Sequence, residues 1–148
     1  MELLIDSSLW VDFFRAKTPP TLRQFVVDWI KRPEAVAAAP VVYEIQRCCR
    51  KSERHYVDVT LATMPMLALP RHHWEKSADF GRACIDQGFD PGPLDLLIAT
   101  VALHHDAEIV TFDADYALIA TVSPLQDPTA AADCGNVSAK ELLETGAE

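Results

Sequence analysis

Short apolar runs alternate with helical stripes along most of this chain, and few folds accommodate that alternation. Glu2-Leu3-Leu4-Ile5 is so short and apolar that it reads as a buried central strand. Ala35 to Ala39, Met66-Leu67-Ala68-Leu69 and Glu108 to Thr111 read as further strands, and Thr121-Val122-Ser123 as a weak last one. Alanine prefers helix, yet the position of Ala35 to Ala39 and the Pro40 that ends it argue for a strand. Between these runs, Leu22, Phe25, Val26, Trp29 and Ile30 recur at i, i+3, i+4, i+7 and i+8, the stripe of an amphipathic helix. Leu97, Ile98, Val101 and Ala102 form a second stripe. Other helices are expected from a Ser7-Ser8 cap to Phe14, from Val41 to Arg54, from a break near His55-Tyr56 to Thr63, from Arg71 to Gln87, and from Ala114 to Ala120. Strands alternating with helices build an α/β fold, a mostly parallel sheet of four to five strands covered on both faces.

A length of 148 residues fits one domain and buries a core without disulfides. Past Pro124 the sequence turns to Asp, Pro, Thr, Ala and Gly. We therefore divide it into a domain over 1–125 and an acidic tail over 126–148. Ser138-Ala139-Lys140-Glu141 before Leu142-Leu143 is a capping-box pattern that predicts a short helix in the tail.

The net charge of −9 is unevenly spread: from residue 105 onward nine acids face one base, Lys140. The first 104 residues carry 13 acids and 12 bases, so a local basic patch remains open to them. Cys48, Cys49, Cys84 and Cys134 have no metal-ligand spacing, and reduced thiols are expected. The first residues have no basic region before Asp6, which argues against a signal peptide. No apolar run reaches membrane-spanning length, and a cytoplasmic address is expected.

Four carboxylates stand at turning points of this pattern. Asp6 ends Leu3-Leu4-Ile5, Glu44 follows Pro40-Val41-Val42-Tyr43, Asp95 opens the second stripe, and Asp113 closes Ile109-Val110-Thr111-Phe112. Parallel α/β sheets bind ligands at the carboxyl ends of their strands, where Asp6 and Asp113 fall and to which Pro40 to Glu44 leads. Asp95 sits in a first helical turn, where the helix dipole tolerates negative charge. Aimed at one point, the four form a hard, oxygen-rich cage for a divalent cation. Without that cation their repulsion drives at least one to take up a proton.

These residues carry a family likeness. Leu4-Ile5-Asp6-Ser7-Ser8-Leu9-Trp10-Val11-Asp12, Val41-Val42-Tyr43-Glu44-Ile45, Asp95 to Ala102, and Thr111-Phe112-Asp113-Ala114-Asp115-Tyr116 resemble, in order, the motifs of PIN-domain ribonucleases, especially VapC toxins. The likeness covers residues 1 to about 125; family members usually have Phe where Tyr116 stands. It implies a three-layer α/β/α sandwich and RNA cleavage with Mg²⁺ or Mn²⁺. It also implies inhibition by a cognate antitoxin, and a homodimer. The family's catalytic and metal-binding acids map onto Asp6, Glu44, Asp95 and Asp113, with Asp115 an alternate for the fourth. Asp6 and Asp95 are expected as the central ligands.

Ser7 and Ser8 are candidates to bond a metal-bound water or Asp6, or simply to cap the first helix. Arg47, Arg50, Lys51 and Arg54 follow Glu44 at i, i+3, i+4 and i+7, one face of an expected helix, and with Arg15 are candidate RNA-phosphate contacts. His72-His73 and His104-His105 point apart on a helix and are expected to be surface or half-buried residues. The helix over Leu22–Ile30 and that over 56–63 could offer an antitoxin a groove. A non-catalytic RNA-binding or regulatory module of the same fold is the alternative, and the four retained acids argue against it. A Walker loop and a Rossmann glycine fingerprint are both missing from the sequence.

Overall fold

The computed structural model describes residues 1–125 and Pro128. Strands β1 (Leu3–Ile5), β2 (Ala35–Ala38), β3 (Met66–Leu67) and β4 (Glu108–Val110) form one sheet in the order β3-β2-β1-β4. Every pairing is parallel. Helices α1 (Ser7–Phe14), α2 (Pro20–Ile30), α3 (Ala39–Cys48), α4 (Arg54–Ala62), α5 (His73–Asp86), α6 (Pro93–His104) and α7 (Asp115–Ile119) connect and cover it, giving a three-layer α/β/α sandwich.

β1 is central, as its apolar run predicts: Leu4 and Ile5 are fully buried. The chain leaves β1 toward β2 on one side and returns as β4 on the other. That reversal opens a crevice beyond the carboxyl ends of β1 and β4. All four residues of β2 are buried, paired by β1 and β3. Tertiary pairing thus overrides the helical preference of alanine. Pro40 lies in the first turn of α3, where its missing N–H costs nothing. Gly88, at φ 95°, closes α5 in the left-handed geometry glycine tolerates.

Three local expectations are corrected. Asp6, not Ser7 or Ser8, caps α1: it is extended, and its side chain accepts from the Ser8 N–H. The serines are the helix's first two residues. The helix expected over 41–54 stops at Cys48, and Cys49 and Arg50 are extended. The Arg50 N–H donates to Glu53 Oε2 at 3.1 Å, offering the backbone an alternative to helical bonding before a 3₁₀ turn, Lys51–Glu53, leads into α4. Residues 121–123 form a turn rather than a strand; Thr121 and Val122 bond back to Leu118 and Ile119. The helix expected near Ser138 lies outside the described residues. Among the described residues, no helix is long and apolar enough to cross a membrane.

Candidate metal centre

Five acidic side chains gather at the crevice. Asp6, directly after β1, is 3% exposed. Its Oδ2 accepts from Ser8 Oγ at 2.9 Å and Thr111 Oγ1 at 2.8 Å, and more distantly from the Ser8 N–H at 3.4 Å. Its Oδ1 faces Tyr116 Oη at 3.3 Å and Ser7 Oγ at 3.5 Å. Ser7 Oγ also lies 2.7 Å from Glu44 Oε2, which draws Glu44 from α3 to the site. Both serine hydroxyls thus lie within hydrogen-bond reach of Asp6.

Beyond β4, Thr111 Oγ1 accepts from the Asp113 N–H at 2.9 Å, and Asp113 Oδ1 accepts from the Asp115 N–H at 2.9 Å. This turn starts α7 and aims both acids one way. Asp95 arrives from the first turn of α6, after Gly92 and Pro93. One oxygen each from Asp95, Asp113 and Asp115 lie within 4.8 Å of one another. Asp113 and Asp115, weighed as alternates from the sequence, therefore both join the cluster, while Asp6 lies deeper.

An open cleft of about 620 Å³ leads to the acids, lined by Tyr43, Glu44, Arg47, Pro93, Asp95 and Asp113 among others. Asp95 is the electrostatic focus. Its carboxyl is raised to about 7, first by burial, then by the charges of Asp113 and Asp6; the Tyr116 hydroxyl opposes this, and Glu44 adds a smaller push. Near neutral pH the metal-free site thus holds a proton that a cation would displace. The donors are hard oxygens at cation-sized spacing, and their mutual repulsion is what a divalent ion relieves. The residues present fit a hard divalent cation.

Tyr116 was not foreseen as a site residue. Its hydroxyl lies 3.3 Å from both Asp6 Oδ1 and Asp95 Oδ1. Burial and the charges of Asp6 and Asp95 hold the phenol well above its usual range, so it remains a neutral donor. One phenol has one proton to give; a proton on Asp95 supplies the second bond of the bridge. The signal was its place three residues past Asp113, with a hydroxyl on an aromatic ring.

The basic residues do not share a face. Arg47 ends α3 at the cleft rim, whereas Arg50 lies in the break beside a small cavity of about 70 Å³ that Arg15 also lines. Lys51 is in the 3₁₀ turn and Arg54 opens α4. All five are exposed. His73, expected at the surface or half-buried, is buried, its Nε2 2.9 Å from the Leu97 carbonyl oxygen. A second cleft, apolar and about 360 Å³, adjoins the acidic one, sharing Tyr43 and Leu94 and adding Pro40, Leu69, Trp74 and Leu97.

The fold has solved counterparts. VapBC2 from Rickettsia felis, solved on a promoter DNA fragment, superposes with a TM-score of 0.65 at 17% identity over 86% of this chain and 97% of that one. VapBC-1 from nontypeable Haemophilus influenzae reaches 0.65 at 16% identity, covering 86% and 96%. VapC20 from Mycobacterium tuberculosis, a sarcin–ricin-loop-cleaving toxin, reaches 0.62 at 14% identity, covering 84% and 99%. No curated protein sequence matches. The PIN-domain family model matches residues 3–122, and the chain belongs to the PIN-domain family.

Proposed function

We propose that this protein is a metal-dependent endoribonuclease, the toxin of a toxin–antitoxin pair. One observation carries the reading: acids from the end of β1, α3, α6 and the β4–α7 turn converge on one crevice, where burial first, and then the charges of Asp113 and Asp6, raise Asp95 to about 7. Asp95, Asp113 and Asp115 would hold Mg²⁺ or Mn²⁺ from the cleft side, with Asp6 beneath them. A divalent ion bound there supplies Lewis acidity and a water of lowered pKa. Glu44, fixed by Ser7, faces the cleft as a ligand through water or an acceptor for a water proton. Arg47 at the rim offers a cation to an RNA phosphate. Arg15, Arg50, Lys51 and Arg54 extend that attraction only as separate surface charges.

The solved VapBC and FitAB complexes of similar fold support an antitoxin partner here too. An arginine from that partner would satisfy the same acids as the cation. The exposed Trp74, Tyr43 and Leu69 around the apolar cleft suit burial against a second copy. The test incubates purified, antitoxin-free protein with structured RNAs in Mg²⁺ and then in EDTA. Cleavage that appears with metal, vanishes with chelator and is lost in Asp95→Asn is the expected result. Metal-independent RNA binding with no cleavage would instead assign a regulatory module.

A further inference from the structure

The acids of the metal centre are approached from two directions. The cleft exposes Glu44, Asp95 and Asp113, but neither Asp6 nor Tyr116 lines it. Tyr116 comes from the core side: it is 1% exposed and stands in the first turn of α7. A buried phenolic O–H requires a partner. Here the ring carries its hydroxyl between carboxylates delivered by β1 and α6, 3.3 Å from an oxygen of each. An aromatic ring has only two side-chain torsions, so it holds that oxygen in place at little entropic cost. The cleft and the phenol therefore reach these acids from different directions.

We infer that Tyr116 is a positioning residue of the metal centre, whose hydroxyl sets the spacing of Asp6 and Asp95 from below before the ion arrives from above. The inference rests on the nuclease reading only in taking Asp95 as a ligand and Asp6 as the acid beneath it. Phenylalanine would fill the same core space and remove the hydroxyl that stands between the two carboxyl groups. The ion would then have to order them itself.

The test titrates Mn²⁺ into the metal-free full chain by calorimetry for wild type, Tyr116→Phe and Asp95→Asn, with thermal melts beside each. Tyr116→Phe is expected to melt cooperatively and to bind Mn²⁺ about tenfold more weakly, the size of one hydrogen bond to a charged group. Its RNA cleavage should fall at limiting metal and recover in excess Mn²⁺, a rescue that a merely structural defect does not allow. Wild-type affinity in Tyr116→Phe alongside a weakened Asp95→Asn would overturn the positioning role alone. Wild-type affinity in Asp95→Asn would overturn the ligand assignment, and the inference with it. A second measurement leaves Tyr116 itself intact: with Tyr43→Phe and Tyr56→Phe, Tyr116 is the sole tyrosine. Mg²⁺ should then perturb its ultraviolet absorption, and a flat difference spectrum at saturating metal would sink the proposal.

Discussion

Asp6 and Asp95 share one tyrosine hydroxyl and sit in opposite surroundings. Asp6 is buried, with Ser8 and Thr111 hydroxyls on one oxygen and Ser7 and Tyr116 on the other. Asp95 has the Tyr116 hydroxyl and faces the negative charges of Asp113, Asp6 and Glu44. One carboxylate is satisfied by the protein, and the other is left for a cation to satisfy. Ionised groups need either hydrogen bonds or a counter-charge once water is removed. The first solution anchors the floor of the site; the second is the one that the proposed cation would supply at its mouth.

The sharpest way to break this comparison is to remove the charge on each side. Asp95→Asn and Asp6→Asn should each lower metal-dependent RNA cleavage about a thousandfold, since a bound divalent ion contributes several kcal/mol of transition-state stabilisation. Their effects on the metal-free fold should differ in sign: thermal melts at pH 8 should show Asp6→Asn destabilised and Asp95→Asn stabilised. Two variants destabilised alike would erase the distinction.

Loosening the floor without touching a charge is the next largest effect. Ser8→Ala and Thr111→Val each remove a hydroxyl bonded to Asp6 and should cost about 1.5–3 kcal/mol in denaturant unfolding. Asp115→Asn, at the exposed mouth, should leave unfolding almost unchanged while weakening Mn²⁺ binding.

The pH dependence follows from Asp95, whose carboxyl rises from 3.8 to about 7 on folding without metal. Between those values the folded protein binds more protons than the unfolded chain, so metal-free stability declines as pH rises through that window. It is flat above about 8, where both states are ionised. Asp95→Asn should recover about 1 kcal/mol at pH 8, a small figure because the group is partly solvated. Calorimetric melts from pH 5 to 8 check the slope. Affinity for Mg²⁺ should climb over the same range as the competing proton leaves.

The smallest effect concerns the basic residues. Arg47→Ala should weaken RNA binding severalfold and reduce the salt slope by about 1. Arg54→Ala, away from the cleft rim, should change both much less. Equal slopes in a salt titration would restore the idea of one continuous basic face.

The sequence carried the order of strands and helices well because buried strands and amphipathic helices leave different periodicities. It carried Asp6, Glu44, Asp95 and Asp113 because each sits where an apolar segment ends or a helix begins. The basic face failed because i, i+3, i+4, i+7 spacing has meaning only on an unbroken helix. That helix is broken at Cys49 and Arg50, which are extended, the Arg50 N–H donating to the Glu53 side chain instead of to a helical carbonyl. The last strand failed because Thr121-Val122-Ser123 has strand composition but bonds back to α7 instead of pairing with β1 or β4.

What the residues alone determined is the alternating pattern, hence a parallel sheet, and the identity of the acids at its edge. Local periodicity and composition suffice for both. The tertiary structure decided which acids meet and what each meets. It sank Asp6 among hydroxyls and joined Asp115 to Asp113 and Asp95. It also brought the Tyr116 phenol between carboxylates from two distant segments. Those distances depend on how β1, α6 and α7 pack in three dimensions, and no spacing along the chain encodes them.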